Sequence, residues 1–375
     1  MKVTYLVEKV GPYHAFRLGA IKDQDLTILE TRPNSERYSW KENITVHSLS
    51  LSNNSTYLDL WKILDKSRPE VLFISGYGFR EMLWGFAWAI RFDFPIVLIS
   101  DSTVGDEPQL LIKEKVKNFI ISHVNSGFVA GIRSRKYLES YSIPSKLIFE
   151  PYDIIDNSYF SIRNEVSPVD FPYFLCISRF IPYKNLPFLI DSFSDYLKKS
   201  SDSTHLVILG DGPMELELRD QIDKLEMGSR IHLKGFLINS EVRAYYQSAI
   251  AMVLASISEA WGLCINEAIS AGIPVLITQV AGATEDLIEE EISGFTFSPF
   301  KKEELISQLK KVRNLTSLNR QKIIEKAQEK LKWFSLENFL LGFTAAAEGG
   351  LNSFKPRRNK ILRSNIVLQI SKFIN

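Results

Sequence analysis

Two doubly wound α/β domains, each built on a parallel sheet covered by helices on both faces, are the fold class this sequence predicts. Three observations carry the prediction. At 375 residues the chain is too long for one ordinary hydrophobic core. Short, nearly continuous apolar runs alternate with helical patterns from end to end, as strands buried on both faces require. A polar, proline-bearing stretch of weak periodicity, "DNSYFSIRNEVSPVDFP" at 156–172, separates two similar halves.

In the first half the β-rich runs are "KVTYLV", "LTILET", "ITVHSL", "EVLFIS", "PIVLIS" and "KLIFE". Helical patterns lie between most of them: "TYLDLWKILDKS", "FREMLWGFAWAIRF" and "QLLIKEKVKNFIISHV". In the second half "YFLCIS", "HLVILG", "RIHLKG", "AMVLAS" and "PVLIT" alternate with helices beginning near Asn185, Pro213, Ser240, Gly262 and Thr284. A further helical pattern, "FSLENFLLGFTAAAEGG", precedes a basic end. The expected organisation is a first domain over 1–165, a second over 166–340, and a C-terminal helix and basic tail over 341–375 returning to the first domain. In sheets of this kind ligands bind beyond the carboxyl ends of the strands, so two facing domains would share one cleft.

Composition excludes several classes. The chain is 45% hydrophobic, 24% charged and 12% aromatic, with a net charge of +1, which gives no general argument for a nucleic-acid partner. Cys176 and Cys264 are the only cysteines; no CxxC or Cys/His zinc spacing exists, and a disulfide is not expected. The opening "MKVTYLVEKVG" is interrupted by Glu8 and Lys9 and does not read as a signal peptide. The longest apolar run, "MLWGFAWAI", is far shorter than a bilayer span. A reducing, cytoplasmic setting is expected.

Chemistry gathers at the strand ends of the second half. "YFLCISRFIPYKN" places Arg179 just beyond a strand and Lys184 at a helix start. Two cations beside free helix amides suit a diphosphate, although incidental charges on a solvated loop are the plainer reading. "LVILGDGPMELELR" carries Gly210-Asp211-Gly212, half of a dinucleotide fingerprint. Its third glycine is replaced by Glu215, and no ribose-binding acid ends the next strand. A tight turn that lets a ligand approach the backbone fits better than a nicotinamide site. "SEAWGLCINEAISAGIPV" sets Glu259 before Trp261-Gly262 and Glu267 within the following helix. Carboxylates accept bonds from vicinal hydroxyls, and the amides at Gly262 and Leu263 can meet a phosphate. A capping acid plus a helix-surface acid is the structural alternative.

These stretches resemble the family-4 retaining glycosyltransferases of the GT-B fold (glycosyl transferases group 1). "SEAWGLCINEA" is similar to that family's two-glutamate signature, and "ISRFIPYKNLPFLIDSF" to its diphosphate-binding segment. "LVILGDGPMELELR", "IHLKGFL" and "QVAGATEDLIEEEISGFTFSP" follow in the family's order, so the likeness covers about 172–300. The resemblance implies two facing Rossmann-like domains with an interdomain cleft. It implies that Arg179 and Lys184 hold the donor diphosphate, Glu267 the ribose hydroxyls and Glu259 the transferred sugar. Gly262, Leu263 and Cys264 would offer backbone amides, with Gly210 and Gly212 beside the donor. The Gly235-Phe236-Leu237 turn would border the nucleobase. Cys264 contributes backbone rather than a nucleophile.

The first half matches the family less well. Its first loop, "KVGPYHAFRL", has one glycine, with His14 and Arg17 as candidates for an acceptor or phosphate contact, or Arg17 as a helix anchor. Asp101 follows "PIVLIS" where the family has a histidine, and is either an acceptor contact or a loop cap. Tyr77, in "ISGYGFR", is a candidate floor for the acceptor. His47, His123, His205 and His232 read as structural residues. The expected function is metal-independent, retaining sugar transfer from a nucleotide-diphosphate sugar, UDP- or GDP-linked, to a glycan or lipid-linked acceptor in polysaccharide or glycoconjugate synthesis. No cofactor beyond the donor and no metal are expected. The alternatives are a same-fold epimerase or phosphorylase, or a non-catalytic partner subunit. The tail "KPRRNKILRSNIVLQISKFIN" has six Lys/Arg and no acid. It reads either as a helix packed on the first domain or as a peripheral contact with the anionic inner face of a membrane.

Overall fold

The computed structural model describes residues 1–33, 47–52, 54–104, 111–162, 166–200 and 202–374, apart from the side chain at 239. Residues 44–46 of the "ITVHSL" run, 109–110 of the third helical pattern and 163–165 of the dividing stretch lie outside them. The chain forms two compact units, Met1–Ile154 with Leu336–Asn375, and Ile155–Ser335. The divisions fall at 154/155 and 335/336, where the sequence places 165 and 340. The short helix Asn157–Ser161 packs with the second unit, against the helix Leu263–Ser270, so the polar stretch that follows it is not the crossing point.

The first unit holds a seven-stranded parallel sheet of β1 (Lys2–Val7), β2 (Asp25–Glu30), β3 (Leu49–Ser50), β4 (Val71–Ser75), β5 (Ile96–Ser100), β6 (Ser126–Val129) and β7 (Ile148–Phe149). Its order is β3-β2-β1-β4-β5-β6-β7, with every described pair parallel. The second unit holds β8 (Tyr173–Ile177), β9 (His205–Leu209), β10 (Ile231–Leu233), β11 (Ala251–Leu254), β12 (Val275–Thr278) and β13 (Phe295–Phe297). Its order is β10-β9-β8-β11-β12-β13, again parallel. Strands buried on both faces explain the unbroken apolar runs: β4, β5 and β12 have no alternation to show, because neither face meets water. Strand order reverses between β1 and β4 in one sheet and between β8 and β11 in the other. At these switch points adjacent connections leave to opposite faces and open a crevice at the carboxyl ends.

The helix Leu336–Ser353 docks on β4 to β7 of the first sheet. Its buried side is made of Gly342, Ala346 and Gly350, small residues four apart, with Phe339, Phe343 and Ala347 flanking them. A methyl at Gly342 would sit 2.8 Å from the Glu150 carbonyl, so the close approach depends on that glycine. Phe343 stacks on Phe73 at 4.4 Å, and Ser126 Oγ donates to the Ala346 carbonyl at 2.7 Å. The last helix, Lys360–Ser371, packs along Arg80–Phe92. Arg357 secures it by donating to the carbonyls of Phe94 and His123 at 3.0 Å each, while Lys360 reaches Asp93 at 2.7 Å. Arg363 Nη1 also lies 3.4 Å from His123 Nε2, so three of the six tail cations are engaged with the first unit.

Candidate active site

At the switch point of the second sheet, β8 and β11 send out the two segments that carry the charged candidates. After β8 the chain continues through Ser178 and Arg179 into a single tight turn, Pro182–Lys184. Asn185 then takes a left-handed conformation at φ 59°, which ends the turn and starts the helix Leu186–Lys198. Its side-chain Nδ2 donates to the carbonyls of Ala255 at 3.1 Å and Pro299 at 2.9 Å. These two bonds fasten Lys184 to the carboxyl ends of β11 and β13. Arg179 Nη2 donates to the Tyr183 hydroxyl at 2.6 Å, so the first cation is oriented by the residue beside the second.

After β11, Ala255 and Ser256 are buried, and Ile257 N donates to the Tyr183 carbonyl at 2.9 Å. The two segments are thus stitched together by main chain before any side chain meets. Lys184 Nζ then donates to Glu259 Oε2, which also accepts from Ser256 Oγ at 3.0 Å. Burial opposes charge on Lys184, but the Glu259 carboxylate outweighs it and holds the ammonium above its ordinary pKa. The two side chains are only 12% and 13% exposed.

Glycines set the close approaches. A methyl at Gly210 would lie 1.9 Å from the Ser178 carbonyl, and one at Gly212 2.7 Å from that of Phe180. Both positions have positive φ, 134° and 149°. The geometry gives these residues a packing role, holding the 210–212 turn against the segment that carries Arg179. A sequence signal passed over earlier is Gly282, where a methyl would fall 1.7 Å from the Ala260 carbonyl. Gly282 N donates to the Glu259 carbonyl at 2.9 Å, so the loop after β12 seats the turn that carries Glu259.

Gly262, at φ 100°, caps the helix Leu263–Ser270, and the first amides of that helix have no intrahelical acceptor. Glu267 lies on its buried side, only 4% exposed. The Tyr246 hydroxyl is 2.6 Å from Glu267 Oε2 and 3.2 Å from the Cys264 carbonyl. Its single proton goes to the carboxylate, the shorter and charge-assisted contact. Tyr246 was invisible to sequence reasoning, because nothing local links it to a glutamate 21 residues on. Burial, with Glu259 and Glu267 nearby, pushes the Cys264 thiol well above its ordinary pKa, so it is not a thiolate nucleophile. Phe236 is half-buried just past Gly235, a turn position at φ 77°.

The first-unit candidates do not form one cluster of this kind. Arg17 is buried: Nη1 donates to the Tyr152 carbonyl at 2.8 Å and to Asp153 Oδ1 at 2.9 Å, and the guanidinium stacks on the Tyr152 ring. It ties the helix Pro12–Gly19 to the segment after β7. His14 Nδ1 accepts from Gly11 N at 3.3 Å, and burial, then the Arg17 charge, lowers its pKa to about 3. Tyr77 shares a hydrogen bond with Tyr137, and Asp101 is exposed just beyond β5. Among the described residues no group of three or more His, Cys, Asp or Glu is arranged to hold a metal, and no helix is long and apolar enough to cross a membrane.

Two doubly wound parallel units, with cations, carboxylates and a glycine-capped helix at the second switch point, define the GT-B class of fold. Residues 159–330, within the second unit, match the family model Glycosyl transferases group 1. Over 139 residues the chain is 30% identical to the alpha-monoglucosyldiacylglycerol synthase of Acholeplasma laidlawii, covering 37% of this chain and 34% of that protein. Over 102 residues it is 35% identical to the enzyme of the same name from Streptococcus pneumoniae, covering 27% and 23%. The matches thus span about a third of these relatives or less. Among solved structures, Anabaena HepE in complex with UDP superposes with a TM-score of 0.73 at 16% identity, covering 92% of this chain and 98% of that one. That likeness is one of fold.

Proposed function

We propose that this chain is a retaining glycosyltransferase that moves a sugar from a nucleoside-diphosphate donor to a glycan or lipid-linked acceptor. The observation that carries the reading is the gathering of Arg179, the Lys184–Glu259 pair and the helix start at Gly262 around one switch point. In this reading the leaving diphosphate meets fixed positive charge from Arg179, Lys184 and the amides of Gly262, Leu263 and Cys264. Charge aimed at the departing group in a shielded site is worth far more than in water. Glu267, held by Tyr246, accepts the ribose hydroxyls, and Glu259 the hydroxyls of the transferred sugar. The anomeric carbon passes through an oxocarbenium-like state. Arg179 and Lys184 supply the charge a divalent ion would bring, which supports a metal-independent reaction.

HepE is described in complex with UDP and with UDP-glucose, which favours a UDP-sugar as donor. The names of the two synthases, which denote glucosyl diacylglycerols, favour a lipid-borne acceptor. Cys176 and Cys264 are free thiols, in keeping with a reducing, cytoplasmic setting. On the first unit we take Asp101 and Tyr77 as the acceptor-side candidates, and His14 and Arg17 as the frame behind them.

The test is proton NMR of early product made from a UDP-sugar in EDTA. Retention of the donor's anomeric configuration is expected; inversion, or a strict need for Mn²⁺ or Mg²⁺, overturns the reading. Donor isomerised, or sugar released to free phosphate, without any acceptor would instead support an epimerase or phosphorylase.

A further inference from the structure

We propose that the outward face of the helix Lys360–Ser371 docks on an anionic lipid surface. The inner face of this helix is already spoken for. Ser364, Val367 and Ser371 are buried, Ser364 Oγ donates to the Ala87 carbonyl at 2.8 Å, and Trp84 Nε1 donates to Ser371 Oγ at 3.2 Å. The opposite face is apolar where a solvated helix would be polar. Ile361, Leu362, Ile366 and Phe373 are 56%, 60%, 38% and 89% exposed. Single exposed leucines are ordinary, but three large apolar residues exposed on one short helix, with Phe373 exposed in the turn that ends it, are not.

The charge on that face names the occupant. Arg358 and Lys372 are exposed just outside the two ends of the helix, Lys355 is exposed before it, and Asn365 and Gln369 on the helix are neutral. From 349 to the end the sequence contains no Asp or Glu. Apolar side chains flanked by cations, without acids, match a surface of acyl chains beneath anionic headgroups. A second copy of the chain is a poorer match. A two-fold contact would bring this face against itself and set cation against cation.

The full chain is floated with phosphatidylcholine–phosphatidylglycerol vesicles and with phosphatidylcholine vesicles alone. Capture by the first and not the second is expected, and it should be lost at high salt. One cation near an anionic surface is worth a factor of about five in partitioning, so Arg358→Gln with Lys372→Gln should reduce capture roughly 25-fold. The triple variant Leu362→Ser, Ile366→Ser, Phe373→Ser should abolish it. These side chains point away from the packed face, so both variants should melt like the wild type, unlike a deletion of the tail, which would remove Arg357 and Val367 as well. Equal capture by neutral vesicles, undiminished capture of either variant, or no capture of the wild type would overturn the proposal. So would a wild-type dimer that the triple variant converts to monomer.

Discussion

Replacing Lys184 with Met removes the cation from a pair whose side chains are 12% and 13% exposed. Glu259 would keep Ser256 Oγ, at 3.0 Å, as its remaining hydrogen-bond donor. Removing one partner of a buried pair costs about 3–5 kcal/mol, most of it from the charge left behind. The residual exposure here argues for the lower end, about 3 kcal/mol. In a unit of this size 1 kcal/mol moves the melting temperature by about 2–4 °C, so the transition should fall by roughly 6–12 °C. The double variant Lys184→Met with Glu259→Gln leaves no stranded charge and should recover much of that loss. Calorimetric scanning of the four proteins closes the cycle, and the coupling expected for touching charges is about 0.5–3 kcal/mol. The sign with pH is also fixed. Burial opposes the Lys184 charge but Glu259 outweighs it, so the folded pKa is raised. The pair's stabilisation is complete below the unfolded lysine pKa, about 10.4, and disappears as pH climbs through the folded value. The wild type should therefore lose its margin over the double variant only in strong alkali. Strictly additive single variants, or a margin that vanishes near neutrality, would refute the reasoning.

Arg17→Met should strand Asp153 in the core of the first unit and cost about 3–5 kcal/mol, while calorimetric affinity of the second unit for UDP stays unchanged; a normal melting curve would show that Arg17 is no brace. Gly282→Ala should push the Glu259 turn away by steric conflict with the Ala260 carbonyl and cost about 1–3 kcal/mol, read as a lower melting temperature together with weaker UDP binding. Tyr246→Phe should remove a charge-assisted bond to Glu267 worth about 1.5–3 kcal/mol, and an unchanged affinity and stability would remove Tyr246 from the site. Burial lowers His14 to about 3 and His123 to about 4. Their neutral forms stabilise the fold above the unfolded value of about 6.5, and that stability is lost as pH falls from there toward 4 and 3. Melting followed from pH 7 to 4 should show the decline, and His14→Asn should flatten it.

Legibility in the sequence followed how local each signal was. Arg179, Lys184, Glu259 and Glu267 stand at strand ends and helix starts, and those boundaries are written in short runs such as "YFLCIS" and "AMVLAS". Parallel sheets were legible because burial on both faces leaves no alternation to misread. Two strands were missed. In β6, "SGFV" opens with Ser and Gly directly after a helical pattern, and β13 is only three residues long. The helix Pro12–Gly19 was legible only as the helix that Arg17 might anchor, because a proline and glycine at its start read as a loop, although proline belongs in the first turn of a helix. Arg17 stayed ambiguous because its partners, Tyr152 and Asp153, are 135 and 136 residues away. The same distance problem concealed Tyr246 and Gly282, whose roles exist only once strands from different parts of the chain lie side by side. The tail divided differently: its charge was plain in the sequence, but which cations brace and which face outward depended on the packing of Ser364 and Val367.

The central claim is that the second switch point binds a nucleoside-diphosphate sugar through fixed cations. Isothermal titration of the full chain with UDP-glucose and GDP-mannose in EDTA, repeated on Arg179→Ala with Lys184→Met, tests it most directly. The account predicts saturable binding of at least one of the two donors by the wild type and a loss of roughly 100-fold or more in the double variant, since each charged hydrogen bond is worth about 1.5–3 kcal/mol. No binding of either donor by the wild type, or equal affinity in a double variant that still folds, would contradict it.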